Sequence, residues 1–196
     1  MTVRLTIDSL YVESMHYAVV VIELMILGFL AEGPMHGYEL RRRMEQLHGY
    51  AHPVSFGTLY PAIGRLAEAG YLHREAGPGT ASAGRITLHL TDEGRAELYG
   101  RLRTATGTDI TDGQRFMVLL AFLSMLPDKA ERDAVLRRRL DFLSQPASFF
   151  YEDGRPLKAD DISDPYRRGI LISARARSRA ERDWLTAMVT AGTKEP

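Results

Sequence analysis

Apolar residues recur at helical spacing through the first third of the chain. From Tyr17 to Glu32 they lie almost all round a helix, which is typical of a helix buried on most of its faces. Gly33-Pro34 ends that segment. A second helix is predicted from Tyr38 to His48. Its predicted inward residues are Tyr38, Leu40, Met44 and Leu47, and its predicted outward residues are Arg41, Arg42, Arg43 and Glu45.

A third and shorter helix is predicted from Ser55 to Ala69. An apolar stripe at spacing i, i+4, i+7 consists of Leu59, Ile63 and Leu66. Ser55 is a suitable N-cap acceptor, and Pro61 must lie near the first turn, where its missing N–H is tolerated. Gly70 stands where a left-handed C-cap residue is common. The helix therefore has a marked start and a marked end.

The opposite face of this third helix is small and hydroxyl-rich, with no carboxylate before Glu68. A solvated helix usually scatters acids and bases over its outer face. Small residues allow close approach to a major groove, while hydroxyls and an arginine suit phosphates and base edges. The residues of this face are Ser55, Gly57, Thr58, Tyr60, Pro61, Gly64 and Arg65.

A β-hairpin is predicted directly after the third helix. Residues 71–75 form its first strand, and residues 77–84 form a tip of Gly, Pro, Ala, Ser and Thr. Residues 85–90 alternate with period two, with Ile86, Leu88 and Leu90 on one face. Thr91 then caps a further helix. Three helices followed by such a hairpin make a winged helix-turn-helix.

The second half of the chain is predicted to be helical. One helix runs from about Thr111 to Met125, and another from Asp128, with Glu131 completing a capping box, to about Leu143. The run Arg137-Arg138-Arg139 is predicted to point mostly outward. Residues 145–163 read as a connector, and a last helix follows Asp164 to about Thr190.

Charge and composition set broad limits on function. Residues 1–100 carry 8 Lys+Arg against 11 Asp+Glu, so a DNA-binding first half must place its cations locally. The chain has no cysteine, which fits a reducing compartment. The longest apolar run, residues 17–31, is too short to span a membrane and contains Glu23. No signal-peptide pattern is present, so we expect a cytoplasmic protein without a membrane partner.

The sequence shows few patterns that are typical of a catalytic or metal site. His48 and His52 are the only histidines spaced i, i+4, and Pro53 places them at a helix end without a carboxylate. No nucleophile–base set or carboxylate pair in an evident cleft is present. The glycines at 28, 33 and 37 do not follow a strand at phosphate-binding spacing. We therefore expect no enzyme, no metal and no cofactor.

Three stretches in this order resemble the PadR-type winged-helix transcriptional regulators, over about residues 17–98. They are LGFLAEGPMHGYEL, VSFGTLYPAIGRLAEAGYL and GRITLHLTDEG. The resemblance implies a mainly α fold: an N-terminal extension at 1–16, a winged helix-turn-helix at 17–98 and a helical dimerisation or effector domain at 99–196. It also implies a homodimer on double-stranded DNA, usually a repressor, with a small-molecule or stress input in many members.

The family resemblance and the hydroxyl-rich face of the third helix together indicate which residues are candidates for contact with DNA. His36 and Tyr38 open the second helix, where backbone N–H groups attract anions, although Tyr38 reads first as a packing residue. Arg74 and Arg85 flank a wing tip that itself lacks cations, a departure from many family members. The candidate DNA contacts are His36, Tyr38, Arg42, Ser55, Gly57, Thr58, Tyr60, Pro61, Arg65, Arg74 and Arg85.

The sequence allows more than one function, with or without an effector. Phe149, Tyr151 and Trp184 are candidates for an effector pocket, with core packing or dimer contact as the alternative. The main hypothesis is a repressor whose two recognition helices enter successive major grooves of a pseudo-palindromic operator. One alternative is a winged-helix protein–protein interaction module without direct DNA binding. Another is a ligand-sensing or metal-dependent protein that acts without DNA, which only the histidines suggest.

Overall fold

A computed structural model describes residues 20–49, 54–76, 86–145, 151–152 and 155–191. The predictions for residues 1–16, the wing tip at 77–84, Arg85 and Phe149 lie outside these residues. Packing divides the chain into two units. One contains the described residues up to Ala105 together with Asp112–Leu126. The other contains Thr106–Thr111 and the described residues from Pro127 onward.

The first unit begins with a buried helix, α1, described at residues 20–32. Met25, Ile26 and Leu27 are almost wholly inaccessible, as expected for a helix that is apolar on most faces. α2 spans Gly37–His48, and its Leu40 and Met44 are wholly buried.

The third helix, α3, spans Phe56–Glu68 and begins where the sequence predicted. The Thr58 backbone N–H donates to the Ser55 side-chain hydroxyl at 3.2 Å, so Ser55 is the N-cap. Pro61 is the sixth residue of the helix and therefore lies past the first turn. The i→i−4 hydrogen bonds already begin with the Leu59 N–H, so the missing N–H of Pro61 removes the usual donor to the Gly57 carbonyl. The residues of the predicted stripe are all buried: Leu59, Ile63 and Leu66.

A three-stranded antiparallel sheet with order β1-β3-β2 follows the helices. β2 spans Leu72–Ala76 and β3 spans Ile86–Leu90, which confirms the predicted hairpin. β1 is Met35–His36, a two-residue strand in which Met35 pairs with Leu88 and His36 with Thr87. The sequence does not predict this strand, because two residues are too few to show a strand period.

A close approach between α4 and the chain before β2 holds the wing to the helices. α4 spans Asp92–Thr104, and its N-cap Thr91 accepts from the Gly94 backbone N–H at 3.0 Å. The Thr91 hydroxyl in turn donates to the Gly70 carbonyl at 2.7 Å. A Cβ built on Gly94 would lie 2.2 Å from the Tyr71 carbonyl oxygen, a distance that no side chain tolerates.

Gly94→Ala is therefore expected to lower the free energy of unfolding by about 1–3 kcal/mol, although alanine is the better helix former. Gly100 on the same helix has no atom within 4 Å of a built Cβ. Gly100→Ala should therefore be neutral or stabilising by up to about 1 kcal/mol. Urea unfolding of both variants checks the prediction. Equal stabilities of the two variants would contradict it.

α6, Gly113–Phe122, belongs to the first unit although it follows α4 in the chain. Its Phe122 ring packs edge-on against Phe29 of α1 with centroids 5.0 Å apart. Gly28 makes this possible, since a Cβ there would lie 2.5 Å from the Phe122 ring. The predicted helix to Met125 ends as a 3₁₀ turn at Leu123–Met125. The predicted domain boundary at residue 98 remains a prediction.

The second unit consists mainly of two long helices. α7 spans Lys129–Ser144, capped by Asp128, and α8 spans Pro165–Ala191. Shorter elements complete the unit: α5 at Thr108–Thr111, β4 at Tyr151–Glu152, β5 at Arg155–Pro156 and a 3₁₀ turn at Ala159–Asp161. α7 and α8 pack together, and α5 packs on α7.

Arg139 on α7 is the exception to the prediction that the arginine run points mostly outward. Its side chain is buried, and its guanidinium holds both carboxylate oxygens of Glu181 on α8, at 2.7 and 3.1 Å. The same group donates to the carbonyls of Ile110 and Thr111 in α5, at 2.6 and 3.0 Å. One side chain thus joins the three helices of the second unit.

Candidate nucleic-acid interface

The outer face of α3 presents aromatic and hydroxyl groups without acids in the first turn. Phe56 and Tyr60, both about half exposed, stack on each other with ring centroids 5.8 Å apart. The hydroxyls of Ser55 and Thr58 are hydrogen-bonded to each other at 2.7 Å. Gly57 and the ring of Pro61 are exposed beside them. This surface is compatible with close approach to a major groove.

The start of α2 extends the aromatic surface. Tyr38 is 62 % exposed, so the prediction that it points inward is wrong. Its ring stacks on His36, with centroids 5.9 Å apart, and the His36 Nδ1 lies 3.2 Å from the Ile86 carbonyl oxygen. A Cβ built on Gly37 would lie 3.4 Å from the Tyr60 hydroxyl oxygen. Gly37 thus lets the side chain of Tyr60 lie against the start of α2.

Three arginines lie on or beside this surface. The Arg41 guanidinium lies over the Phe56 ring, 4.5 Å from its centroid, and also pairs with Glu45 at 3.2 Å. Arg42 and Arg74 are exposed, and neither has an ion-pair partner within the described part of the chain. A Cβ on Gly64 would meet a terminal nitrogen of Arg74 at 4.0 Å, which places that guanidinium beside α3.

Arg65 has a different environment from the other candidate cations. Its Nε donates to Glu23 of α1 at 2.9 Å, and Arg101 of α4 donates to the other Glu23 oxygen at 3.3 Å. Arg101 is also paired with Glu97 at 2.7 Å. A DNA contact by Arg65 would have to compete with this internal ion pair.

A cleft of about 370 Å³ opens between the start of α2, α3 and the hairpin. Two of its lining side chains, Ile63 and Leu88, are buried and apolar. Its other lining residues are Gly37, Tyr38, Tyr60, Ile86 and Arg74. Ile86 is 42 % exposed although it shares a strand with the buried Leu88.

The structure brings four of the eleven candidate DNA contacts to one place. His36, Tyr38, Tyr60 and Arg74 lie around one cleft or beside it. Phe56 and Arg41 are not among the predicted contacts. Their only sequence signal is the i, i+4 spacing of Phe56 and Tyr60 at the start of α3. The described residues do not test the predicted effector pocket. The side chain of Tyr151 is outside the described part, and Trp184 lies on α8 with 42 % of its surface exposed.

The described residues contain no group of three or more His, Cys, Asp or Glu side chains arranged to hold a metal ion. None of the helices described here has the length and hydropathy needed to cross a membrane.

The part of the chain that resembles a known protein family lies in the first unit. Residues 26–99 match the model of the transcriptional regulator PadR-like family. Over these residues the chain is similar to the PadR-like family. The PadR-like region contains α2, α3 and the hairpin strands, and therefore all the predicted DNA-contact residues. No curated protein matches the chain.

Solved structures similar to this chain include several PadR regulators. A transcriptional regulator from Thermoplasma acidophilum is 28 % identical with a TM-score of 0.40, over 44 % of this chain and 81 % of its own. PadR from Bacillus subtilis in complex with operator DNA is 20 % identical with a TM-score of 0.42, over 87 % and 97 %. The same protein with p-coumaric acid is 20 % identical with a TM-score of 0.40, over 90 % and 98 %.

Proposed function

We propose that this PadR-like protein is a sequence-specific DNA-binding regulator that represses transcription as a homodimer. The exposed face at the start of α3 is the observation that carries the proposal. It brings Tyr60, Thr58 and Phe56 together without an acidic side chain in the first turn. Such a face is unusual for a solvated helix and suits a major groove. The family match supports the same assignment.

The surrounding residues supply the backbone contacts in this proposal. Arg42 and Arg74 lie free of ion pairs within the described residues and neutralise phosphates on either side of the groove. His36 and Tyr38 lie at the start of α2, where a phosphate oxygen gains from the helix dipole. Arg65 contributes less than these residues, because Glu23 already neutralises it.

The dimer is proposed to form through α8. This helix has 27 residues, of which Leu171 and Leu185 are its buried ones. Its exposed apolar side chains are Tyr166, Ile170, Ile172, Trp184 and Met188. A helix with so much uncovered apolar surface is stabilised by pairing with a second copy. On a two-fold symmetric operator the two α3 helices are expected to enter successive major grooves, about one DNA turn apart.

We extend the proposal to release from DNA by a small molecule or a stress signal, which the family resemblance implies. Phe149, Tyr151 and Trp184 are the residues proposed for that effector pocket. Effector and operator would then weaken each other's binding by the same factor, because coupling between two sites is reciprocal. Equal effector affinity with and without operator would exclude this release mechanism.

Binding to the upstream DNA of the protein's own gene tests the regulator proposal. With Arg42 and Arg74 from both protomers, about four phosphates are neutralised, so the slope of log K against log salt should be roughly −3.6. A fourfold rise in salt should then weaken binding roughly 150-fold. Fluorescence anisotropy at 50 and 200 mM salt measures this, with a shuffled duplex of equal length as the control.

A salt-sensitive complex that forms on the native duplex and not on the shuffled one would support the proposal. Equal binding to both duplexes would contradict sequence specificity. No binding at low salt by a folded dimer would favour the second candidate function, a winged-helix protein–protein module. The excess of acids over bases in residues 1–100 is the observation that favours this alternative.

A further inference from the structure

A single carboxylate on α1 is paired with arginines of both α3 and α4. Glu23 lies among apolar residues of α1, and its side chain is only 13 % exposed. One of its oxygens accepts from the Arg65 Nε at 2.9 Å, and the other accepts from Arg101 at 3.3 Å. A carboxylate with so little access to water needs cationic partners, because a desolvated charge without a partner is costly.

Arg65 is the cation on which Glu23 depends most. The contact with Arg101 is the longer of the two, and Arg101 also donates to Glu97 at 2.7 Å, so two carboxylates share its charge. Glu23 is the one ion-pair partner of Arg65 within the described residues. If Arg65 moved to another anion, Glu23 would keep only a shared cation. The cost of leaving Glu23 in that state opposes the movement.

Arg65 nevertheless lies within reach of DNA phosphates in the proposed complex. Its side chain is 45 % exposed, and it follows Pro61 by four residues and Thr58 by seven on α3. These spacings place it at the border of the hydroxyl-rich face. A guanidinium is well suited to bind a phosphate. Arg65 therefore has one anionic partner inside the protein and a competing one in the DNA backbone.

We propose that Glu23 holds Arg65 away from the DNA phosphates, so that the protein binds DNA less tightly than its cations allow. Glu23 is thus a positioning residue that acts through Arg65 and does not itself contact DNA. The proposal rests on the proposed function, since it concerns the affinity of the α3 face for DNA. A phosphate contact carries no sequence information, so release of Arg65 should strengthen binding to every duplex by the same factor.

Glu23→Gln tests this proposal through a gain of affinity. A neutral amide holds a guanidinium less strongly than a carboxylate does, so Arg65 becomes available to a phosphate in each protomer. At 50 mM salt the variant should bind both the native upstream duplex and the shuffled duplex roughly 10-fold more tightly than wild type. Two more neutralised phosphates should steepen the slope of log K against log salt from roughly −3.6 to roughly −5.4. The advantage should therefore nearly vanish at about 200 mM salt.

Three further variants separate the contact from the change in net charge. Glu97→Gln makes the same charge change in the same cluster without touching Arg65, and should bind within about twofold of wild type. Glu23→Gln/Arg65→Gln should lose the gain, because the released cation is absent. Glu23→Leu, which removes the acceptor and suits an apolar helix, should reproduce the gain. An unfolded variant loses DNA binding, so neither gain can arise from misfolding.

Fluorescence anisotropy of the full-length protein with the two duplexes measures these affinities. If wild type binds the native duplex and neither Glu23 variant binds it more tightly, this proposal fails and the regulator proposal stands. An equal gain in Glu97→Gln, or a gain retained in the double variant, would also overturn it. A loss of more than about tenfold in Arg65→Gln would show that Arg65 already contacts DNA in wild type, against the proposal. Absence of DNA binding by every variant would overturn both proposals.

Discussion

Arg139→Met is expected to lower the free energy of unfolding by about 2–4 kcal/mol, a large fraction of the stability of a small domain. Methionine fills similar volume but cannot donate hydrogen bonds. The Ile110 and Thr111 carbonyls would lose their donor, and the Glu181 carboxylate would lose both of its contacts. Loss of Arg139 is costly because the Glu181 carboxylate, whose side chain is only 28 % exposed, stays partly desolvated without its partner.

Urea unfolding followed by circular dichroism measures this change. Arg137→Met is the matched control: it lies on the same helix, its side chain is 53 % exposed and its distance to Asp133 is 3.9 Å. That control should change stability by less than about 0.5 kcal/mol. The double variant Arg139→Met/Glu181→Met should recover part of the loss, since no buried charge remains. If Arg137→Met and Arg139→Met lowered the free energy of unfolding equally, the contacts of Arg139 with α5 and α8 would not be what stabilises the second unit.

The same residue shows why sequence periodicity has a limit. The helical stripe of α3 could be predicted, because three apolar residues at regular spacing can be buried on only one face. Three consecutive arginines carry no such information. Arg139 is distinguished by Glu181, which is 42 residues away in the chain, and by carbonyls of a four-residue helix. Such partners follow from tertiary packing alone.

The position of the candidate DNA-binding surface could be predicted from the sequence, but the orientation of its side chains could not. Tyr38 was expected to face inward because it continues an apolar stripe, yet it stacks on His36 at the surface. The ion pair between Arg65 and Glu23 joins residues 42 positions apart, so no local pattern indicates it. The two-residue strand β1 was missed for the same reason, since it exists only through pairing with β3.

Tyr60→Ala is expected to weaken binding to the cognate duplex roughly 30- to 150-fold while the dimer stays folded. Tyr60 is half exposed and stacks on Phe56, so its loss removes little buried surface. A lost contact to a base or phosphate is worth about 1–1.5 kcal/mol per protomer, and a homodimer carries the change twice. Fluorescence anisotropy at fixed salt gives the two affinities.

Further variants identify the part of Tyr60 that contacts DNA. Tyr60→Phe retains the stack on Phe56 and removes only the hydroxyl. If the hydroxyl contacts DNA, this variant should lose nearly as much affinity as Tyr60→Ala. If the ring lies against a base, it should retain most of the wild-type affinity. Glu68→Gln, at the far end of α3, should bind within threefold of wild type, because it removes one exposed charge distant from Tyr60. Wild-type affinity in Tyr60→Ala would exclude the start of α3 from the groove, and the protein–protein alternative would then account better for its exposed aromatic face.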